Sequence, residues 1–232
     1  MSQQRPVRGD YYTHSQAWHV EDAPWKAHQV LRIITQNRLA PTSIGEIGCG
    51  PGEVLLHLYR SLPPIVTFNG YEVAPVAYRL AQTRNRDRLR FHLADLLDDE
   101  DAFFDVVLAL DVLEHVEDYY DFLRRLRVRG TYKIFHIPLD LSAQTVLRGG
   151  LLLKKRAQVG HLQYFTRETA LAALADTGYQ VLDSFYTAWG IELPVRSLAA
   201  AVARFPRQFL HALNKDLAAR LLGGYSLLVL AK

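Results

Sequence analysis

One cysteine, Cys49, occurs in 232 residues. Its isolation excludes an intrachain disulfide and a thiolate zinc cluster, and it fits a reducing compartment. Long apolar runs are missing too: none reaches the eighteen residues that a membrane-spanning helix requires. The opening MSQQRPVRGDYY lacks the apolar centre of a secretory signal, so the cytoplasm is the expected location. No repeat, low-complexity tract or Gly/Ser/Pro-rich linker divides the chain, which favours one continuous domain of ordinary size. Charge of a single sign is scarce, with 27 Lys and Arg against 24 Asp and Glu. A pI near 9.0 with both signs mixed describes a solvated surface. Neither a nucleic-acid partner nor stable membrane insertion is expected.

What is present has a clear rhythm. Asp22 is placed to cap a helix with Pro24 in its first turn and Trp25, Val30, Leu31 and Ile34 recurring on one side. This predicts an N-terminal helical cap over 1–42. Short apolar runs then alternate with helical stretches, the pattern of a parallel sheet covered on both faces. Strands are expected at 43–47, 65–72, 89–93, 104–110, 132–137, 179–186 and 225–231. The core is therefore bounded at 43–186. Thr166 can cap a helix bearing Leu171 and Leu174 that stops at Gly178. Over 187–223, Leu198, Val202, Phe205, Phe209, Leu213, Leu217 and Leu221 keep helical spacing around Pro206. Two amphipathic helices laid over the core, or forming a dimer face, are expected there, with the last strand at 224–232.

Ile44-Gly45-Glu46-Ile47-Gly48-Cys49-Gly50-Pro51-Gly52-Glu53 ends a strand, turns on glycines and opens a helix. Glycine there permits a sharp turn and close approach of a ligand to the backbone. A dinucleotide fingerprint spaces its glycines G-x-G-x-x-G and sets a pyrophosphate on the helix N-terminus. Here the spacing is G-x-G-x-G, with Glu46 two residues ahead, suited to a cationic ligand. An ordinary strand-to-helix turn is the plain alternative. Glu72 ends the second strand, where a ribose-binding acid sits in doubly wound nucleotide folds. Asp95 follows the third, in Ala94-Asp95-Leu96. A strand-end acid alone is more often solvated surface than ligand, but three at the carboxyl ends of three consecutive strands mark the edge where open α/β sheets bind ligands.

These segments, with Phe104-Asp105-Val106-Val107 and Asp111-Val112-Leu113-Glu114-His115-Val116 after them, resemble the successive motifs of class I S-adenosylmethionine-dependent methyltransferases. The small-molecule branch that includes the ubiquinone-biosynthesis O-methyltransferases is the most similar. The resemblance implies a Rossmann-like seven-stranded α/β sheet, mostly parallel with an antiparallel last strand, and S-adenosylmethionine as cofactor. It further implies that Glu46, Gly48, Cys49, Gly50 and Gly52 lie along the methionine part, Glu72 and Val73 at the ribose, and Ala94, Asp95 and Leu96 at the adenine. Leu110, Asp111 and His115 would flank the cofactor. The chain departs from the family in the reduced glycine turn Arg129-Gly130 and in the helical insertion.

Methyl transfer from a sulfonium needs alignment, and a base only when the acceptor is protonated. Histidine suits a hydroxyl acceptor. His115 is the first candidate, against a cofactor-contacting or structural role. His136, at the end of the fifth strand, and His161, in Gly160-His161-Leu162, come next; for His161 a loop-ordering role is the preferred reading. Tyr11, Tyr12, Trp18, His19 and Trp25 suggest an aromatic lid, although packing at the domain edge suffices for Trp25. Arg148 with Lys154-Lys155-Arg156 would suit an anionic small-molecule acceptor, or simply a solvated face. In the insertion, Arg196, Arg204, Arg207, Lys215 and Arg220 stand against Asp216 beside the apolar positions. No metal is expected, and the oligomeric state is monomer or homodimer. O-methylation is favoured over N- or C-methylation. The rivals are an NAD-binding oxidoreductase, whose third glycine should fall one residue later, and a non-catalytic module on the same fold.

Overall fold

The computed structural model describes residues 20–193 and 198–232, without the side chains of 198–203. The proposed lid residues Tyr11, Tyr12, Trp18 and His19, together with Arg196 and the side chains of Leu198 and Val202, lie outside the described residues. Among the described residues seven strands form: β1 (Ser43–Ile47), β2 (Thr67–Glu72), β3 (Leu89–Leu93), β4 (Phe104–Leu110), β5 (Gly130–Pro138), β6 (Val181–Thr187) and β7 (Ser226–Ala231). Their order in one sheet is β3-β2-β1-β4-β5-β7-β6, a Rossmann-like arrangement. β1 to β5 pair in parallel, and β7 runs antiparallel between β5 and β6. Expected and observed strands agree except at their ends, where β5 is longer and β2, β6 and β7 begin later.

The sheet is buried on both faces. Against one lie α1 (Ala23–Gln36) and α2 (Glu53–Ser61), which bury Ala27, Val30, Ile33, Leu55 and Leu58 with Ile44, Phe68 and Leu108. Against the other lie α4 (Tyr119–Arg127) and α7 (Arg167–Asp176), through Phe122, Leu123, Leu126, Ala170 and Leu174. Each fully buried leucine there contributes about 1.5–3 kcal/mol by removal from water. α3 (Pro75–Gln82) joins β2 to β3, while α5 (Ala143–Leu147) and α6 (Leu151–Val159) follow β5. The Thr166 cap is made, as a reciprocal box with Thr169.

The insertion differs from its reading in two ways. After a short α8 (Trp189–Glu192), α9 (Leu198–Leu213) runs through Pro206 without a break, and the junction falls at Asn214, whose side chain caps α10 (Lys215–Leu222). The apolar stripe also points outward rather than over the core. Phe205, Phe209 and Leu213 are about 70% exposed, and the inner contacts come from Leu210, Ala218 and Ala219. No helix among the described residues is long and apolar enough to cross a membrane.

Candidate functional site

Strand order reverses between β1 and β4, and in open α/β sheets such a reversal is where a ligand crevice opens beyond the carboxyl ends of the strands. The β1–α2 turn forms one wall. Gly48, Gly50 and Gly52 all adopt positive φ, and a Cβ on Gly52 would stand 2.4 Å from the Phe91 ring. The turn therefore needs glycine for both conformation and space.

The three acids take different environments. Glu46 is buried, and its Oε2 has no hydrogen-bond partner. Burial pushes its pKa up to about 8, with Lys26 opposing and Glu72 adding to the rise. Glu72 is equally buried but satisfied, accepting from the Gly50 amide at 2.8 Å and the Ala74 amide at 2.7 Å. Burial still raises its pKa against those bonds. It holds the glycine turn to the end of β2, a role that sequence reasoning does not contain. Asp95 caps the short 3-10 helix after β3 by accepting from the Leu97 amide at 2.9 Å. Val73, Leu93 and Ala94 are exposed apolar residues at the paired ends of β2 and β3 and form a ledge there.

At the end of β4, Asp111 has φ 55°, a conformation tolerated by aspartate but costly for most residues. Its carboxylate meets Lys26 Nζ at 2.5 Å and His136 Nδ1 at 2.6 Å. Burial alone would raise its pKa, but His136 and Lys26 hold it well below the usual range. For Lys26 the balance is similar: burial lowers the pKa, while Asp111, Glu114 and Asp22 together lift it above normal. His136 has its other nitrogen 2.9 Å from the Thr187 hydroxyl, so both ring nitrogens are engaged and the ring braces Asp111. Trp25 stacks edge-on against His136 and donates through Nε1 to Glu192 at 2.6 Å. Gln29 donates to the same Glu192 oxygen. The N-terminal helix is thus latched to α8 across the rim. Lys26, Gln29 and Glu192 were not among the sequence candidates.

His115 and His161 converge. Amides of Leu162 and Gln163 donate to the Glu114 carbonyl, drawing the 160–163 loop onto the turn after β4. The two rings cross at 86° with centroids 5.1 Å apart. His161 Nδ1 lies 2.6 Å from Asp140 Oδ2, and Asp140 is also paired with Lys155. Burial, then His161, lowers the pKa of His115 to about 4, so it is neutral at physiological pH. Lys155 is thereby taken from the basic run, while Arg148, Lys154 and Arg156 face solvent.

A buried carboxyl group under a glycine turn, on this sheet, is an arrangement of the class I methyltransferase fold. The chain belongs to the methyltransferase-domain family, whose model matches residues 23–184. Its structure is similar to that of a Haloferax volcanii methyltransferase in complex with a methyltransferase activator, at 15% identity and TM-score 0.67, covering 97% of this chain and 98% of that one. An Archaeoglobus fulgidus S-adenosylmethionine-dependent methyltransferase gives 16% identity and TM-score 0.62, over 96% and 100% of the chains. The magnesium protoporphyrin IX methyltransferase of Synechocystis, with bound S-adenosylhomocysteine, gives 16% and 0.59, over 95% and 90%. No curated protein matches the sequence.

Proposed function

We propose that this protein transfers the methyl group of S-adenosylmethionine to an oxygen of a small-molecule acceptor. The observation that carries the reading is Glu46: a buried carboxylate with an unpartnered Oε2 beneath a glycine turn. That vacant acceptor fits the ammonium of the methionine part, and the positive-φ glycines fit a ligand lying against the backbone. A pyrophosphate, by contrast, would meet a buried acid.

In this reading Gly48, Cys49, Gly50 and Gly52 line the methionine part. Glu72 keeps its hold on the turn and accepts ribose hydroxyls through its remaining lone pairs. The ledge of Val73 and Ala94 flanks the adenine, with Asp95 and Leu96 at its edge, and Leu110 and Asp111 close the opposite side. The bound cofactor supplies an activated methyl group, and the protein aligns the acceptor and excludes water. Oxygen is favoured as acceptor because neutral His115 and the Asp140-oriented His161 can take a hydroxyl proton. His136 acts as a positioning residue for Asp111. The acceptor is not required to be anionic, since Lys155 is committed to Asp140.

Calorimetric titration of the protein with S-adenosylhomocysteine and, separately, with NAD tests the reading. One-to-one binding of the first and none of the second is expected. Binding of NAD alone would overturn it in favour of an oxidoreductase.

A further inference from the structure

Beyond the cofactor crevice, Glu114, His115 and His161 bring one carboxylate and two imidazoles to a common point. Glu114 is only 1% exposed, and neither of its oxygens has a hydrogen-bond partner. A carboxylate so placed has lost its water without gaining donors, a costly state that a cation would relieve. His115 Nε2 lies 3.9 Å and His161 Nε2 4.0 Å from the same Oε1. The ligating atoms of all three residues fall within 4.8 Å of one another. Those distances are too long for hydrogen bonds, yet they converge on one oxygen.

The surroundings orient both rings for ligation. His161 Nδ1 faces the Asp140 carboxylate at 2.6 Å, and His115 Nδ1 faces the Gly160 carbonyl at 3.3 Å. An acceptor at Nδ1 assigns the proton to that nitrogen and makes Nε2 the lone-pair atom, on the side of Glu114. Carboxylate or carbonyl behind a ligating imidazole is the usual outer arrangement of protein metal sites. Lys155 in turn holds Asp140.

We propose that Glu114, His115 and His161 bind a divalent transition-metal cation of the zinc type, through one carboxylate oxygen and two Nε2 atoms. Two imidazoles and a carboxylate are a zinc donor set that leaves an open position, whereas magnesium and calcium prefer oxygen alone. Donors held about 2.0–2.1 Å from a tetrahedral metal are roughly 3.4 Å apart. A closure of about half an ångström toward Glu114, and of up to about 1.4 Å between the two imidazoles, by side-chain rotation completes the site. With its side chain 28% exposed, His115 keeps the open position accessible. The proposed site departs from the sequence-based expectation of no metal. If the methyltransferase reading holds, the cation polarises the acceptor oxygen and lowers the pKa of its hydroxyl. With both imidazoles ligating, the hydroxyl proton then passes to water in place of His115 or His161, and the O–CH₃ bond forms as the S–CH₃ bond breaks toward sulfur.

The test is titration of the metal-stripped, cofactor-free protein with Zn²⁺ by calorimetry, and with Co²⁺ by visible absorption. One equivalent is expected, with the intense bands of a low-coordinate Co²⁺ site. Glu114→Gln, which preserves shape, should lower Zn²⁺ affinity by at least about 100-fold, and Asp140→Asn by about 10- to 100-fold through loss of the outer partner. Circular dichroism establishes that both variants fold, and His115→Gln replaces either that does not. Absence of stoichiometric binding, or an affinity unchanged in the folded variants, overturns the site. S-adenosylhomocysteine binding by the wild-type protein is measured separately, so failure of the metal site is distinguishable from failure of the methyltransferase reading.

Discussion

Glu46 makes cofactor affinity depend on pH in a way that follows from its burial. Without ligand its pKa is about 8, so at pH 6 only about one molecule in a hundred carries the charge that an ammonium requires. Binding the ammonium stabilises the carboxylate, and the pKa falls in the complex. Affinity for S-adenosylhomocysteine should therefore rise with pH and level off about one unit above 8. From pH 6 to pH 8 the gain is roughly 50-fold, or about 2.3 kcal/mol at 1.36 kcal/mol per pKa unit. Below pH 8, binding should release close to one proton, seen as a dependence of the calorimetric enthalpy on the buffer's ionisation enthalpy. Lys26 and Glu72 face Glu46, and Cys49, whose thiol pKa burial raises well above normal, stays protonated throughout. Glu46→Gln should flatten the profile: affinity at pH 8 falls by about 10- to 100-fold, the worth of a hydrogen bond to a charged group, while at pH 6 the variant approaches wild type. A flat wild-type profile, or a variant that keeps the slope, would refute the reasoning. The same linkage has an opposite sign for stability. The folded, unliganded protein binds a proton that the unfolded chain releases near pH 4.5, so this group costs stability as pH rises from about 4.5 to 8.

Three further outcomes are expected. Gly52→Ala places a methyl group against the Phe91 ring at a positive φ; it should lower stability by about 1–3 kcal/mol in thermal unfolding and weaken S-adenosylhomocysteine binding. Asp111→Asn tolerates the left-handed backbone but leaves Lys26 without its close anion, and should cost about 2–4 kcal/mol in denaturant unfolding. Glu72→Ala leaves the buried amides of Gly50 and Ala74 unsatisfied. It should lower both stability and cofactor affinity by about 1–3 kcal/mol, whereas a change in affinity alone would confine Glu72 to the ribose.

Much of the frame was legible because parallel strands buried on both faces must be short apolar runs, and the turn after β1 must be glycine where φ is positive. The convergence of Glu46, Glu72 and Asp95 on one edge followed from strand ends alone. Periodicity was less informative about direction. It grouped Phe205, Phe209 and Leu213 on one side of a helix, yet that side faces solvent, because Ala218 and Ala219 on the following helix make the closer contact with the core. The N-terminal helix was read through its apolar stripe, and nothing in that spacing tells that Trp25, Lys26 and Gln29 lie over the crevice. Glu114 and Asp140 escaped notice as site residues for a different reason: their meaning comes from partners 47 and 21 residues away, at His161. Their one local signal was an acid set among apolar neighbours, Leu113-Glu114 and Leu139-Asp140-Leu141, where burial is implied and a partner is required.

A crystal structure of the protein grown with S-adenosylhomocysteine at pH 8 tests the central claim most directly. The ammonium should lie within hydrogen-bond distance of Glu46 Oε2, with the methionine part along Gly48 to Gly52, the ribose hydroxyls at Glu72 and the adenine on the Val73–Ala94 ledge. Density for the ligand elsewhere, or an ammonium turned away from a Glu46 whose Oε2 stays unpartnered, would contradict the account.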